Sequence, residues 1–374
     1  MKKIVVAHGH SSIEVLHSMT PLILSSKEIE GWDWKFVDYR FSNIFRKQGD
    51  LLILVRKYHD GKTSNENIIS ELLELRKNYS KIIYFDDSAS ATSISFFAFP
   101  YVDQYWKRAC LSDTNLYKKK FYGGHLFSDY YHSEFGVDDL DQKYFNPVIH
   151  NDVDLNKLKI SWNIGIGVYP LNKDNLLDRY YKYIRKILTG MTIIPSIEPI
   201  YYLISHYFEI IKKELEKEVH FDNKIKKFSS RFVSANYRNS IGHQRNLLIK
   251  QTSNNKNYLT GHKSKREFTQ ETFNVFGVLS PFGWGEVCYR DFEAAIGGSY
   301  LIKPNMSHID TWPNLYKKDM YHSLSWDLNE IDKLEYLFDQ TEKCESAVNK
   351  TRREYLLSIN SSVARCIKMI EQII

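Results

Sequence analysis

The stretch SPFGWGEVCYRDFEAAIGG occupies residues 280–298, directly after one apolar run and just before another. An apolar run, a loop with two glycines, an amphipathic segment and a closing pair of glycines predict a strand–loop–helix unit, with the helix over 286–296. Glycines let backbone N–H groups approach a ligand, and a helix start adds unpaired donors and the positive end of a dipole. We therefore predict a phosphate cradle that includes Gly283, Gly285 and Glu286.

Two side chains of this helix suit a nucleotide. Arg290 lies about one turn into the helix, where its guanidinium could fork onto a diphosphate. Glu293 follows three residues later on roughly the same face, where its carboxylate could accept two ribose hydroxyls. The loop KPNMSH comes directly after the next strand, and successive strand ends of a doubly wound sheet open onto one crevice. The same ligand is therefore expected to meet Lys303, Ser307 and His308.

Alternation of short apolar runs with helical segments predicts an α/β chain with parallel sheets. The predicted strands of the first half are 3–7, 51–55 and 81–85, and its predicted helices are 65–79, 176–188 and 197–219. Residues 99–147 are aromatic and irregular, which is typical of long loops over a cleft. A second unit begins near 226, with predicted strands 228–235, 274–279 and 300–303 and a helix at 243–250. The predicted division is 1–220, 226–350 and a C-terminal helix over 351–374.

Length and composition limit the class of protein. A chain of 374 residues suits two α/β domains, and its formal net charge of +6 is compatible with nucleotide phosphates or a weak preference for anionic membranes. That charge is too small and too dispersed for a nucleic-acid reader. The N-terminus lacks the apolar core of a signal peptide, and no run is long enough to span a membrane. The cysteines show no metal-ligand spacing, so we expect a soluble cytoplasmic protein with reduced thiols. They are Cys110, Cys288, Cys344 and Cys366.

The run from Ser280 to His308 resembles the donor-binding half of GT-B glycosyltransferases. It is closest to the group-1-like set that includes spore-coat CgeB-type and exostosin-like enzymes, whose helix reads R-x-x-E-A before small residues and an apolar strand. The resemblance extends over 226–326 and implies two Rossmann-like domains facing across a cleft, with C-terminal helices packing back on the first. It also implies that Glu293 holds the donor ribose. Loop residues of the opening strand would border the phosphates, and these are Arg231, Arg238 and Arg245.

One feature departs from the family pattern. Many retaining GT-B enzymes carry two glutamates eight positions apart, but the residue eight positions before Glu293 is Gly285, with Glu286 beside it. The register is off by one, so retention and inversion both stay open.

The catalytic candidates lie at strand ends of the first half, which in such enzymes binds the acceptor. His8 and His10 follow the first strand, and a histidine near its ordinary pKa can take a proton from an acceptor hydroxyl. Asp86 and Asp87 follow the third predicted strand as alternatives. The two aspartates also suggest an alternative, a metal-dependent GT-A glycosyltransferase, which holds its metal with a D-x-D motif at a strand end. The sequence here is Asp-Asp-Ser rather than D-x-D, and aspartates at such positions often cap helices. We expect neither a metal nor another cofactor.

These features together predict a metal-independent glycosyltransferase. It would move a sugar from a nucleotide-sugar donor to a glycan or lipid-linked acceptor, in surface polysaccharide synthesis, with peripheral contact to the inner face of a membrane. Two alternatives stay open: a nucleotide-sugar epimerase of GT-B-like fold, and a non-catalytic glycan- or nucleotide-binding module.

Overall fold

The chain forms two parallel β-sheets covered by helices and one small antiparallel pair of strands. A computed structural model describes residues 1–8, 13–38, 44–55, 64–140, 143–150, 153–167 and 198–374. The strands are β1 Lys2–His8, β2 Trp32–Asp38, β3 Gly49–Val55, β4 Tyr79–Asp86, β5 Gln104–Lys107, β6 Ala109–Leu111, β7 Leu158–Ile160, β8 Ile225–Ser229, β9 Tyr258–Leu259, β10 Val275–Leu279, β11 Tyr300–Pro304, β12 Ile309–Thr311 and β13 His322–Leu324. The helices are α1 Ile13–Ser25, α2 Asn65–Leu75, α3 Leu126–Phe135, α4 Glu198–Leu215, α5 Asn239–Thr252, α6 Lys265–Asn274, α7 Tyr289–Gly297 and α8 Thr341–Glu371.

The first sheet has the strand order β2-β1-β3-β4-β5-β7, with every pair parallel. Its central strands β3 and β4 each carry five consecutive buried residues because both faces of the sheet are covered. In β1, for example, Ile4 and Val6 pack into one core while Val5 and Ala7 pack into the other.

The second sheet has the order β13-β11-β10-β8-β9 and is also parallel throughout. When the strands of this unit are numbered 1 to 5 in chain order and the sheet is listed from β9, the order is the doubly wound 2-1-3-4-5. The first five strands of the other sheet have the same order. In such sheets the ligand crevice lies outside the carboxyl ends of the strands, where the winding direction changes. In the second sheet that point lies between β8 and β10.

The C-terminal helix α8 joins the two units. Its first turns place Cys344 and Val348 in the core of the second unit. Its later turns bring Ile359 and Ile370 into the core that α1 and α4 share with the first sheet. The predicted fold, two Rossmann-like domains with C-terminal helices packing back on the first, is therefore confirmed.

The two units also meet directly at the carboxyl ends of their strands. Strand β12 of the second unit pairs antiparallel with β6 of the first. The backbone N–H of Ala91 donates to the carboxylate of Glu286, at 3.1 Å. The carboxyl ends of the two sheets, which were expected to border a cleft, therefore face each other.

Several element boundaries differ from the sequence-based expectations. Residues 99–147 contain β5, β6 and α3 rather than loops alone, because their aromatic side chains are buried and pack together. The helix predicted from 286 begins at Tyr289, and α8 begins before the predicted residue 351. Strand β2 was not predicted, and the predicted helix over 176–188 lies outside the described residues. Among those described, no helix combines the length and apolarity needed to cross a membrane.

Candidate functional site

The candidate site is built from the two loops that follow β8 and β10, at the crevice position of the second sheet. Neighbouring parallel strands end at the same edge, so these loops lie side by side. The first loop carries Arg231 and Arg238, and the second carries Gly283, Gly285 and Glu286. Five of the residues that were predicted to bind the donor thus lie in these two neighbouring loops.

A cluster of positive side chains occupies this edge. The Arg290 guanidinium, on the first turn of α7, donates from Nη2 to the carbonyl of Arg231 at 3.3 Å and lies over the ring of Phe232. Arg245 on α5 donates to the carbonyls of Phe282 and Val233 at 2.6 and 2.9 Å. Backbone carbonyls hold both guanidiniums, and no carboxylate among the described residues forms an ion pair with either of them. Burial and the charge of Arg245 lower the pKa of Arg290, while Cys288 and Asp291 oppose that shift.

Two carboxylates form ion pairs with two further cations of the cluster, Arg231 and Lys265. Arg231 forms a forked pair with Glu271, with Nε–O distances of 2.8 and 2.9 Å. Lys265, at the start of α6, forms an ion pair with Glu293. Among the described residues, the four cations Arg231, Arg245, Lys265 and Arg290 outnumber the two carboxylates that pair with them, which favours an anionic ligand. The sequence reasoning did not single out Lys265, because its role depends on a carboxylate far away in the chain.

The start of α7 differs from the predicted phosphate cradle. The N–H of Gly283 donates to the carbonyl of Gly285 at 3.0 Å, within the loop itself. A Cβ at Gly285 would collide with the carbonyl of Ala89 in the first unit. Gly285 therefore allows the two units to approach each other closely. From the sequence, it was predicted instead to let the backbone approach a phosphate.

A protein carboxylate already occupies the N-terminus of α7. Asp291 is fully buried and accepts from the N–H of Cys288 at 2.9 Å and from the hydroxyl of Tyr316 at 2.6 Å. Lys303 is also fully buried and lies 3.2 Å from this carboxylate, with a further bond to the carbonyl of Ser280. The structure thus gives Lys303, predicted to meet the donor, a role in holding the start of α7.

Glu286 and His308 form a buried acid–imidazole pair at the contact between the units. One carboxylate oxygen, Oε2, accepts from the N–H of Ala91, whereas Oε1 lies 3.9 Å from Nε2 of His308. Within the described part of the chain, Oε1 of Glu286 has no hydrogen-bond partner. Burial lowers the pKa of His308, although the charge of Glu286 and the backbone of Asn305 act in the opposite direction. Such a pair can bind a hydroxyl group as donor and acceptor.

Two further donor candidates, Ser307 and Arg238, make their contacts with other side chains. Ser307 is exposed, and its N–H and hydroxyl both donate to the side-chain oxygen of Asn305. The guanidinium of Arg238 lies over the rings of Tyr144 and Trp284, with centroid distances of 4.6 and 5.8 Å.

The first-unit candidates are buried at the ends of β1 and β4. His8 is buried, and His10 lies outside the described residues. Asp86 accepts from the Tyr105 hydroxyl at 2.5 Å and lies 3.4 Å from the ammonium of Lys107.

Asp87 is also buried and engaged. It accepts from the hydroxyl of Ser18 at 3.1 Å and lies 3.6 Å from Arg108. The structure thus ties both aspartates into ion pairs within the first unit. In the described ranges, no group of three or more histidine, cysteine or acidic side chains has the arrangement of a metal site.

No protein-family model and no curated protein matches the sequence. Over nearly its whole length the chain is similar in fold to several solved structures. A glycosyltransferase from Rickettsia africae has 10% sequence identity and a TM-score of 0.45, over 99% of this chain and 98% of that one. HepE of Anabaena, solved with UDP and glucose, has 8% identity and a TM-score of 0.45, over 99% and 100% of the two chains. MnaA of S. aureus, solved with UDP, has 10% identity and a TM-score of 0.41, over 99% and 96%.

Proposed function

We propose that the protein is a glycosyltransferase that uses a nucleoside-diphosphate sugar as its donor. The observation that carries this proposal is the cation cluster of Arg231, Arg245, Lys265 and Arg290 at the crevice position of the second sheet. A diphosphate leaving group needs fixed positive charge where its own charge develops, and guanidiniums held by backbone carbonyls supply it without reorganisation. The resemblance of residues 280–308 to GT-B donor sites supports the same assignment.

The proposal gives each side chain a task. The diphosphate meets Arg290 and Arg245, and Glu293 exchanges its ion pair with Lys265 for the ribose hydroxyls. The bond from the anomeric carbon to the diphosphate breaks, the acceptor oxygen attacks that carbon, and its proton passes to a base. The hydroxyls of the transferred sugar would contact Glu286 and His308, where Oε1 of Glu286 has no hydrogen-bond partner among the described residues.

The first unit would bind the acceptor, a glycan or lipid-linked glycan of a surface polysaccharide, at the cytoplasmic side of a membrane. This part of the proposal follows from the family resemblance.

Nucleotide binding and nucleotide release test the proposal together. Thermal-shift measurements with UDP, GDP, TDP and CMP should show stabilisation by at least one diphosphate, since a ligand at a hundred times its Kd adds about 2.7 kcal/mol. Release of nucleotide from the matching sugar donor should then rise when a glycan acceptor is added. Interconversion of the donor sugar without an acceptor would indicate an epimerase instead. Binding with neither release nor interconversion would indicate a non-catalytic module.

We propose His10, which follows β1 in the sequence, as the base. His10→Ala should lower turnover by about 10²–10⁴-fold with nucleotide affinity nearly unchanged, which is the usual effect of removing a general base. Asp87→Ala is the comparison variant, and the same profile there would transfer the role to the carboxylate. Near-normal turnover in both variants would refute the assignment.

A further inference from the structure

An exposed aromatic surface lies beside the cation cluster and is not used by the proposed donor site. It consists of Trp284, Tyr237, Tyr144 and the guanidinium of Arg238, and we call it the Trp284 platform. Trp284 is 49% exposed and Tyr144 is 43% exposed. Exposed apolar side chains clustered at the edge of a site often mark a binding surface.

The platform adjoins the cation cluster through Tyr237. Glu293 pairs with Lys265, and the charges of Arg290 and Arg245 lie close enough to interact. The ring centroid of Tyr237 lies 4.4 Å from the guanidinium of Arg245 and 5.3 Å from the ring centroid of Trp284. A sugar bound on the platform would therefore lie next to the proposed diphosphate position.

Both units contribute to the platform, and hydrogen bonds hold it together. Tyr144 belongs to the first unit, and its ring occupies the space that a Cβ at Gly124 would need. The N–H and hydroxyl of Ser240, on the first turn of α5, both donate to the carboxylate of Asp139 at 2.8 Å. These bonds tie the start of α5, next to Arg238, to the first unit.

The chemistry of the platform defines the class of ligand. Flat aromatic faces stack against the C–H face of a pyranose ring. No carboxylate in the described ranges lies within ion-pair distance of Arg238, and a guanidinium pairs best with a carboxylate or phosphate. Charge complementarity therefore favours a pyranose that carries an anionic group.

We propose that the Trp284 platform is an acceptor subsite for an anionic sugar residue, such as a uronic acid, with the ring stacked on Trp284 and the acidic group on Arg238. The role as an acceptor subsite rests on the proposed glycosyltransferase function. Its ligand chemistry rests on the platform alone.

Saturation-transfer NMR with methyl β-D-glucuronide, and with methyl β-D-glucoside as the uncharged match, tests this proposal without any nucleotide. We expect the glucuronide to bind more tightly than the glucoside. Trp284→Ala should weaken glucuronide binding by about tenfold or more, and Trp284→Phe should retain part of it. Arg238→Gln should abolish the preference for the charged sugar. Tyr336→Ala and Arg353→Gln change side chains far from the platform and should bind as the parent protein does.

Three results would overturn the proposal: no glucuronide binding, binding that neither platform variant alters, or binding that the control variants alter equally. A parallel UDP titration of Trp284→Ala identifies the alternative occupant, because a loss of UDP affinity there would assign the platform to the donor. Failure of the parent protein to bind any nucleotide would refute the proposed function, while the glucuronide data would still decide the ligand of the platform.

Discussion

At the scale of single residues, Arg290 carries an unpaired N–H group that the proposed donor site could offer to a ligand. Its guanidinium is held by one backbone carbonyl and an aromatic ring, and its Nε has no partner in the described part of the chain. A forked contact to a diphosphate uses two such N–H groups in one plane, which a lysine ammonium lacks.

We therefore predict that Arg290→Ala weakens UDP or GDP binding more than Arg290→Lys, and that both variants are weaker than the parent protein. Calorimetric titration measures the difference, and the exposed Arg353→Ala is the matched control. If both Arg290 variants bound nucleotide as the parent does, Arg290 would be a surface residue of the helix start and nothing more.

The conformation of the glycine loop was predicted correctly from the sequence, but the contacts of its two glycines were not. Gly283 and Gly285 do form the tight loop before a helix that the sequence predicts. The N–H of Gly283 donates a hydrogen bond within that loop, and Gly285 lies against Ala89. The local conformation followed from glycine itself, whereas the partner came from a segment nearly two hundred residues away.

At the scale of elements, Arg352 of α8 ties two helix ends together. Its guanidinium is buried and donates to the carbonyls of Ala295 and Ile296 at the end of α7, at 2.8 and 2.7 Å. It also donates to the carbonyls of Glu214 and Lys217, at and after the end of α4. The last carbonyls of a helix have no partner within the helix, and a cation there is favoured by the dipole.

Arg352→Met should therefore destabilise the fold by about 2–4 kcal/mol, since several buried carbonyls lose their donors. Urea unfolding measures the loss, and the adjacent, exposed Arg353→Met should change stability little. Equal midpoints for the two variants would show that water replaces the guanidinium at the helix ends.

At the scale of the whole molecule, the partly buried His322 is expected to make stability depend on pH. Burial, with the charge of Lys343, lowers the pKa of His322 to about 4. The unfolded chain takes up this proton near pH 6.5 and the folded chain only near 4, so stability falls as the pH drops through that window.

We predict that His322→Gln makes the free energy of unfolding less dependent on pH between pH 6.5 and 4. The slope that is lost is at most that of one proton, about 1.4 kcal/mol per pH unit. Urea unfolding at a series of pH values measures the slope, with the exposed His150→Gln as the control. An unchanged slope in His322→Gln would show that the folded protein binds this proton as readily as the unfolded chain.

Metal dependence is also a property of the whole molecule. Because arginine and lysine side chains can neutralise the diphosphate, we expect nucleotide binding and turnover to survive EDTA. Loss of both on chelation, with recovery on addition of Mn²⁺, would instead favour the metal-dependent reading built on Asp86 and Asp87.

The sequence by itself determined the alternation of strands and helices, the strand–loop–helix unit around residues 280–298, and the placement of Arg290 and Glu293 on one helix. Those features depend on apolar period and glycine position, which are read from near neighbours in the chain. Only the tertiary structure decided which charges stay available. Lys303 is neutralised by Asp291, whereas Glu286 meets the backbone of Ala91 and lies beside His308. The free charge of a side chain depends on partners from other elements, and no local pattern specifies them.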